Sequence, residues 1–516
     1  MMHRNKPLAS RSTPNRSIIP TFLWTLSLLS ITNAMTSSSS GYFIGFDFGT
    51  SGARISVINR NNDRAIEIDN EVHSDSIVWQ KSCDDADEWI NAMHLLLSRV
   101  PTEMLRDTKA ICASGTSASC VLVEKATGKV SRKPRMYDYD VGISCFGLTA
   151  MDRLGKYAPS RHTAKARTSS LAKLISWHEE EQLYENNDGT DDNAEVLAHQ
   201  ADFLAMHLMS YGKSKKNYEV VSDWHNCLKL GYDVRKLEWP SWLKTCLSEA
   251  GISLNVLPSK VVSPGMPIGT VSPSLASRYD ISKDAQIIAG TTDSNAAFFA
   301  AAGTCPTFGV AVTSLGSTLA MKVLSKSFCE DADLGVYSHR FPAFTEEDEV
   351  GEAWLIGGAS NTGCGVLRQV GFSNDELKYL SMEIDPTKVS PLEYYPLTKK
   401  GERFPVADSE KLPILEPVPA SRKDFLHGIL QAITNIEVKG FSVLGKLGAS
   451  PALPSLVLTC GGGSNNDMWL QMRENRLNIL TQQSGNAERV KVRKAENTEA
   501  SYGAAILAAA TFYEIE

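Results

Sequence analysis

Apolar positions in this chain gather into short runs that end on glycine, threonine and serine, and that grammar of run and turn returns along its length. The first case is Gly41-Tyr-Phe-Ile-Gly-Phe-Asp-Phe-Gly-Thr-Ser-Gly-Ala-Arg-Ile-Ser-Val-Ile58, two strand-like runs about a Gly/Thr/Ser turn, which predicts a hairpin. Ala110–Val123 reads as strand, turn and strand again. Ala285–Ala289 predicts a buried strand that passes through Gly290-Thr-Thr-Asp-Ser-Asn-Ala-Ala-Phe298 into a small-residue helix, and Thr307–Leu315 predicts a strand entering Gly316-Ser317-Thr318. Leu456-Val-Leu-Thr-Cys-Gly-Gly-Gly-Ser464 closes the series. Helical spacing of apolar residues covers Trp89–Leu97, Leu171–Leu183, Ala201–Leu208, Phe425–Ile436 and Ala500–Ala510. Between these, Glu185–Glu195 is an acidic exposed loop, Val261–Thr270 is rich in turn formers, and residues 385–418 are loop-rich.

Strands that alternate with helices and end in Gly/Thr/Ser turns predict a mixed α/β protein with its ligand contacts at strand ends. The same turn grammar occurs near Asp47 and near Gly316, compatible with two related halves facing a cleft. Domains are therefore expected at 41–300 and 301–516, after a leader at 1–40. With 42% hydrophobic and 22% charged residues, the chain has material for a large core and a soluble surface, which excludes wholesale disorder. A net charge of −7 without a dominant charged block gives no general attraction to nucleic acid. Ten cysteines in 516 residues with no CxxC pair form neither a disulfide scaffold nor a zinc comb.

The leader carries Arg4, Lys6, Arg11 and Arg16 ahead of an apolar run around Ile18–Ile31, and no acidic residue precedes Asp47. Pro20 and several hydroxyl residues break the run, which makes it a targeting segment rather than a stable membrane span. Organellar transit, secretion with cleavage after Ala34, and a cytoplasmic form begun at Met35 are the routes it allows.

Four turns carry candidate chemistry. Asp47 ends an apolar strand just before Gly49-Thr50-Ser51-Gly52; a carboxylate there holds a hydrated magnesium ion, or caps its own turn, while backbone N–H groups, Thr50, Ser51 and Arg54 offer donors to phosphate. Asp293 stands where a buried strand enters a helix, as a general base for a hydroxyl or as a helix cap. Gly316, Ser317 and Thr318 offer further phosphate contacts, and Gly461-Gly462-Gly463-Ser464 allows close passage of an adenosine or forms a flexible loop.

The runs Gly45-Phe-Asp-Phe-Gly-Thr-Ser-Gly52, Ala289-Gly-Thr-Thr-Asp293, Ser314-Leu-Gly-Ser-Thr318 and Gly461-Gly-Gly-Ser464 resemble, in that order, the FGGY carbohydrate-kinase family over residues 41–516. The resemblance implies two ribonuclease-H-like α/β domains around a cleft, use of ATP with Mg2+, and phosphoryl transfer to a small sugar. It also implies Asp293 as base, Asp47 as the metal-ordering group acting through water, and Gly461–Ser464 on the adenosine side. Many xylulose kinases of the family have Gly-Gln-Met-His-Gly beside the sugar, whereas this chain has Gly115-Thr-Ser-Ala-Ser119. Loss of the Gln and His hydrogen bonds argues against an ordinary xylulose site. Thr116 and Ser117 look like the variant of the ribulose kinases, whose closest group is organellar and cyanobacterial, with a plastid as the expected compartment. Met136-Tyr-Asp138 and Ser222-Asp-Trp-His-Asn226 resemble sugar-side segments of that branch, in which Asp138 and Asp223 bind hydroxyls or make internal caps. A sugar-binding protein or actin-like interaction protein that keeps the fold without transfer is the alternative of a different class.

Overall fold

Two strands joined by the tight Thr50-Ser51 turn begin the folded chain: β1 (Gly41–Phe48) pairs antiparallel with β2 (Gly52–Arg60) and sets Asp47 directly across from Arg54. The computed structural model describes residues 41–60, 70–182, 195–213, 217–342, 352–485, 488–510 and 512. The leader at 1–40 lies outside the described residues, as does the acidic loop up to residue 194. The remaining strands are β3 (Asn70–Val78), β4 (Thr108–Gly115), β5 (Cys120–Glu124), β6 (Glu195–His199), β7 (Val221–Asp223), β8 (Lys260–Val262), β9 (Pro267–Thr270) and β10 (Gln286–Thr292) in the first part of the chain. In the second they are β11 (Val310–Leu315), β12 (Leu319–Ser325), β13 (Tyr337–Arg340), β14 (Trp354–Ser360), β15 (Leu456–Cys460) and β16 (Lys491–Lys494).

The strands form two six-stranded sheets, ordered β3-β2-β1-β4-β10-β9 and β13-β14-β12-β11-β15-β16. Their central plans coincide. In the first, β1 is antiparallel to β2, β2 antiparallel to β3, β1 parallel to β4, and β4 parallel to β10. In the second, β11, β12, β14, β15 and β16 repeat those relations in the same order. Parallel neighbours require crossover connections, which helices supply. The repeated turn grammar of the sequence is thus the trace of a repeated five-strand unit.

Helices fill the faces. The predicted helical segments lie within Ala86–Arg99, Ser170–Gln182, Gln200–Ser210, Arg422–Lys446 and Ala500–Ala510, apart from Leu183, which is outside the described residues, and most of these helices are longer than the apolar spacing alone defines. The largest extension, Arg422–Lys446, carries the polar Gln431, Thr434 and Glu437 on buried positions, and these interrupt the apolar periodicity. Glu437 is satisfied by a fork from Arg473, with Nε and Nη2 each 2.6 Å from its oxygens, and Thr313 Oγ1 donates to it at 2.7 Å. Arg473 Nη1 also donates to Thr459 Oγ1 at 2.7 Å, so one buried ion pair ties β11 and β15 to the helices beneath them. The turn-rich Val261–Thr270 is partly strand, a departure from expectation. The Pro264-Gly265 turn separates β8 from β9, and Pro267 begins an edge strand, where its missing N–H is tolerated. Residues 385–418 contain only isolated bridges, as a loop-rich interval should.

The alanine-rich helix Ala500–Ala510 packs on β1, β2 and β4 and on the helix Asp293–Ala302. Two glycines permit this approach. A Cβ at Gly45 would stand 2.0 Å from Ser501 O, and one at Gly503 would stand 1.8 Å from Ala296 O. Both obstacles are main-chain atoms, so a side chain there must separate the elements. Gly503→Val is expected to destabilise the protein by about 3 kcal/mol; denaturant unfolding that gave the wild-type midpoint would contradict this packing.

Candidate functional site

Parallel registry delivers the first group of site residues to one sheet edge. Asp47 of β1 pairs with Ser114 of β4, Ser114 pairs with Thr291 of β10, and Gly115 pairs with both Phe48 and Thr292. The three strands therefore end level, and Asp47, the Gly115–Ser119 turn and Asp293 leave from the same carboxyl edge. Ligands of α/β sheets collect at such an edge.

Asp47 is buried, and Ser114 Oγ donates to its Oδ1 at 3.0 Å. Arg54 Nη1 approaches Oδ2 only to 3.5 Å and is shared with Glu499. Burial first, and the charge of Asp293 second, push the Asp47 carboxyl up to about 7. Asp293 is the first residue of the helix Asp293–Ala302, behind Thr292 in the cap position. Among the described residues its Oδ1 accepts the adjacent Ser294 N–H alone, at 2.7 Å, so the carboxylate is not spent on donors deeper in the helix. Burial raises its pKa, and the charges of Lys322 and Lys229 lower it. Asp47 and Asp293, far apart in sequence, thus oppose each other electrostatically in one site. The buried Asp47 carboxylate, met by Arg54 only at 3.5 Å, keeps lone pairs for a divalent cation, and it is the residue that would hold one.

Gly49 N–H donates to Gly52 O at 2.9 Å, which closes the first turn, and Trp79 Nε1 braces it through Gly49 O at 3.1 Å. Thr50 and Ser51 are exposed at its tip. The matching turn of the second sheet, Gly316–Thr318, closes by Gly316 N–H to Thr318 O at 3.2 Å. Ser317 and Thr318 are exposed, and Arg368 Nη2 donates to Ser317 Oγ at 2.7 Å. Gly461, at φ +80°, lies against the end of β11: a Cβ there would stand 2.7 Å from Leu315 O. The Gly461–Ser464 loop and the Gly316 turn are therefore neighbours. Gly463 is enclosed by Leu315 and Trp469, Ser464 Oγ bonds Gly461 O at 2.8 Å, and a Cβ at Gly462 would meet nothing within 4 Å. That bare strip of main chain fits a flat nucleotide moiety.

The Gly115–Ser119 turn is held from below. Thr116 N–H and Oγ1 both donate to Gln200 Oε1, at 3.0 and 3.1 Å, and Ala118 takes φ +66°. Buried Lys173 donates to Ala118 O at 2.9 Å and Met136 O at 2.6 Å. Thr116 is thus an internal buttress, and Ser117, half-buried, is the hydroxyl left at the tip. Asp138 is exposed just beyond Met136. Asp223 corrects the expectation of a sugar contact: it is fully buried and accepts from His225 N, Asn226 N and Asn226 Nδ2 at 2.8, 3.0 and 2.6 Å. It is the internal cap of Trp224–Cys227. Two buried polar atoms at this edge, Gln200 Nε2 and Thr292 Oγ1, have no hydrogen-bond partner among the described residues. Sequence reading missed Gln200, Lys173, Lys322 and Arg368, because each reaches the site from a segment without a turn motif.

No family model matches the chain. A curated relative, the xylulose kinase of Bacillus subtilis (strain 168), is 26% identical over 286 residues, 52% of this chain; the chain spans about half (50%) of that relative's length. Among solved structures, a xylulose kinase from Brucella ovis superposes with a TM-score of 0.70 at 18% identity, covering 92% of this chain and 91% of the other. Plasmodium falciparum glycerol kinase with ADP gives 0.70 at 16%, covering 91% and 89%. Ligand-bound xylulose kinase from Lactobacillus acidophilus gives 0.69 at 15%, again covering 91% and 89%. The fold is the two-domain α/β fold of FGGY-type carbohydrate kinases.

The raised Asp47 carboxyl has a sign that can be checked. Its folded pKa exceeds the unfolded value, so the folded state holds the proton more tightly, and stability falls as pH rises from about 4 to about 7. Asp47→Asn is expected to raise Tm at pH 8, by up to roughly 4 kcal/mol of stability, and to leave it near the wild-type value at pH 4. A pH-independent difference in Tm would contradict the assignment.

Proposed function

We propose that this protein transfers the γ-phosphoryl group of ATP to the terminal hydroxyl of a pentulose, with D-ribulose as acceptor and D-ribulose 5-phosphate as product. The observation that carries the reading is the meeting of Asp47 and Asp293 at the carboxyl edge of the first sheet, each within the other's field. Likeness to xylulose and glycerol kinases supports the reaction class. The Thr116-Ser117 turn, without the Gln and His of many xylulose kinases, supports ribulose over xylulose.

In this reading residues 41–300 bind the sugar and carry the first phosphate turn, and residues 301–516 bind the nucleotide. Asp293 orients the attacking hydroxyl and takes its proton as the oxygen–phosphorus bond forms and the bond from phosphorus to the departing ADP oxygen breaks. Its raised basicity suits the task, since a carboxylate at its ordinary pKa is a poor acceptor for an alcohol's proton. N–H groups of the Gly49 and Gly316 turns, with Thr50, Ser51, Ser317 and Thr318, donate to phosphate oxygens, and the bare Gly461–Gly462 main chain lies along the adenosine. Magnesium, when bound, would supply positive charge to the phosphates, and Asp47 would be the residue that holds it.

The test is an ATP-dependent panel of D-ribulose, D-xylulose, L-ribulose, ribitol and glycerol with the phosphorylated position identified. D-ribulose is expected to turn over fastest, at its terminal oxygen, and Asp293→Asn to lose at least about 100-fold in kcat with a Tm no lower than that of the wild type. A preference for D-xylulose overturns the acceptor; equal transfer by the variant overturns the base; no product from any polyol favours a sugar-binding protein. The basic, acid-free segment before Gly41 supports delivery to a plastid. The full chain fused to a fluorescent protein is expected to accumulate there, and a cytosolic or secretory signal would contradict it.

A further inference from the structure

Lys322 belongs to β12 in the second sheet, yet its ammonium reaches the helix that Asp293 begins. Nζ donates to Ser294 Oγ at 2.9 Å and also contacts Asn295 Oδ1. An ammonium has three protons, so two are committed and one remains for another acceptor. The side chain lines a cavity of about 690 Å³ with Ser294, Lys229, Lys165, Arg403 and His339. Asp333 is the acidic residue among those described on its wall, and Arg161 already faces both Asp333 and Asp331. Lys165, Lys229, Lys322, Arg161 and Arg403 against the one carboxylate of Asp333 make the described wall rich in charged donors, which complements a ligand dense in oxygen lone pairs, such as a polyhydroxylated carbonyl compound.

We propose that Lys322 is a positioning residue of the acceptor site: Ser294 and Asn295 hold its ammonium beside the Asp293 carboxylate, and its remaining proton goes to an oxygen of the sugar. The proposal rests on the kinase reading above. A lysine that only latched β12 to the helix would affect stability and nothing else. The difference shows in pH dependence. The ionisable groups around Lys322 are Asp293, which favours its charge, Lys229, which opposes it, and His225 and His339, both kept neutral by burial. Burial dominates and brings the Lys322 ammonium down to about 7. The charged form is present below that value and is lost as pH rises through it, so acceptor binding weakens on the alkaline side while ATP binding does not.

Wild type, Lys322→Met and Lys322→Arg are compared from pH 6 to 9 with KM for sugar and for ATP measured separately. Lys322→Met is expected to raise the acceptor KM by at least about tenfold, leave the ATP KM within about twofold, and lose the alkaline limb near 7. Lys322→Arg, charged throughout, is expected to recover part of the affinity and to carry the limb beyond the measured range. An unchanged acceptor KM with the limb still in place overturns the proposal, as does a parallel rise in both KM values. Absence of turnover in the wild type would defeat the kinase reading separately. Calorimetric titration of D-ribulose into wild type and Lys322→Met then decides, and equal affinities, absent binding included, overturn the role of the lysine.

Discussion

The positions of both carboxylates depend on how closely main chain can approach main chain around the helix Ala500–Ala510. That helix lies on β1, whose penultimate residue is Asp47, and on the helix that starts at Asp293. Gly45 opens the first contact and Gly503 the second, and Ser56 Oγ to Ser501 Oγ at 2.8 Å adds a buried hydrogen bond. Without side chains in the way, two elements remote in sequence share one neighbour, and their terminal carboxylates are brought within electrostatic reach. A late segment of the chain thus fixes geometry set out at its beginning.

Around that contact the chain uses one strand plan twice. In each sheet a tight turn joins the two central antiparallel strands, and its main chain is left at the carboxyl edge: Gly49–Gly52 in the first sheet, Gly316–Thr318 in the second. The second edge is stiffened by the buried Arg473–Glu437 pair, which bonds to Thr313 of β11 and Thr459 of β15 just before the Gly316 and Gly461 turns. A buried pair of this kind does more for definition than for net stability, because its desolvation offsets much of its attraction. Lys322 then joins the second sheet to the first turn of the Asp293 helix, so the two sheets are tied beside that carboxylate.

Much of this was legible in the sequence, since the determinants are local. Asp47, Gly49, Gly316, Gly461 and Asp293 each follow a short apolar run, and the run gives the strand, its end and its turn together. The repeated turn grammar matched the repeated sheet. What stayed hidden depends on packing between distant segments. From sequence Asp223 is open as a hydroxyl contact or an internal cap, and the hydrogen bonds from His225 and Asn226 that make it a cap follow from no spacing. Gln200 lies under the Thr116 turn, and Lys322 looks like one polar residue in a strand until the helix at Asp293 is placed beside it. The length of Arg422–Lys446 was hidden for a related reason, as Glu437 reads as solvent-facing until Arg473 is brought against it.

The central claim is that Asp293 faces the attacking hydroxyl while Asp47 faces the phosphates. A crystal structure with ADP, Mg2+ and D-ribulose bound together addresses it most directly. The account predicts an Asp293 carboxylate oxygen about 2.6–3.2 Å from the terminal hydroxyl of the sugar, with Asp47 on the metal's water shell. A sugar held elsewhere, with Asp293 turned to solvent or bonded only within its own helix, would contradict it.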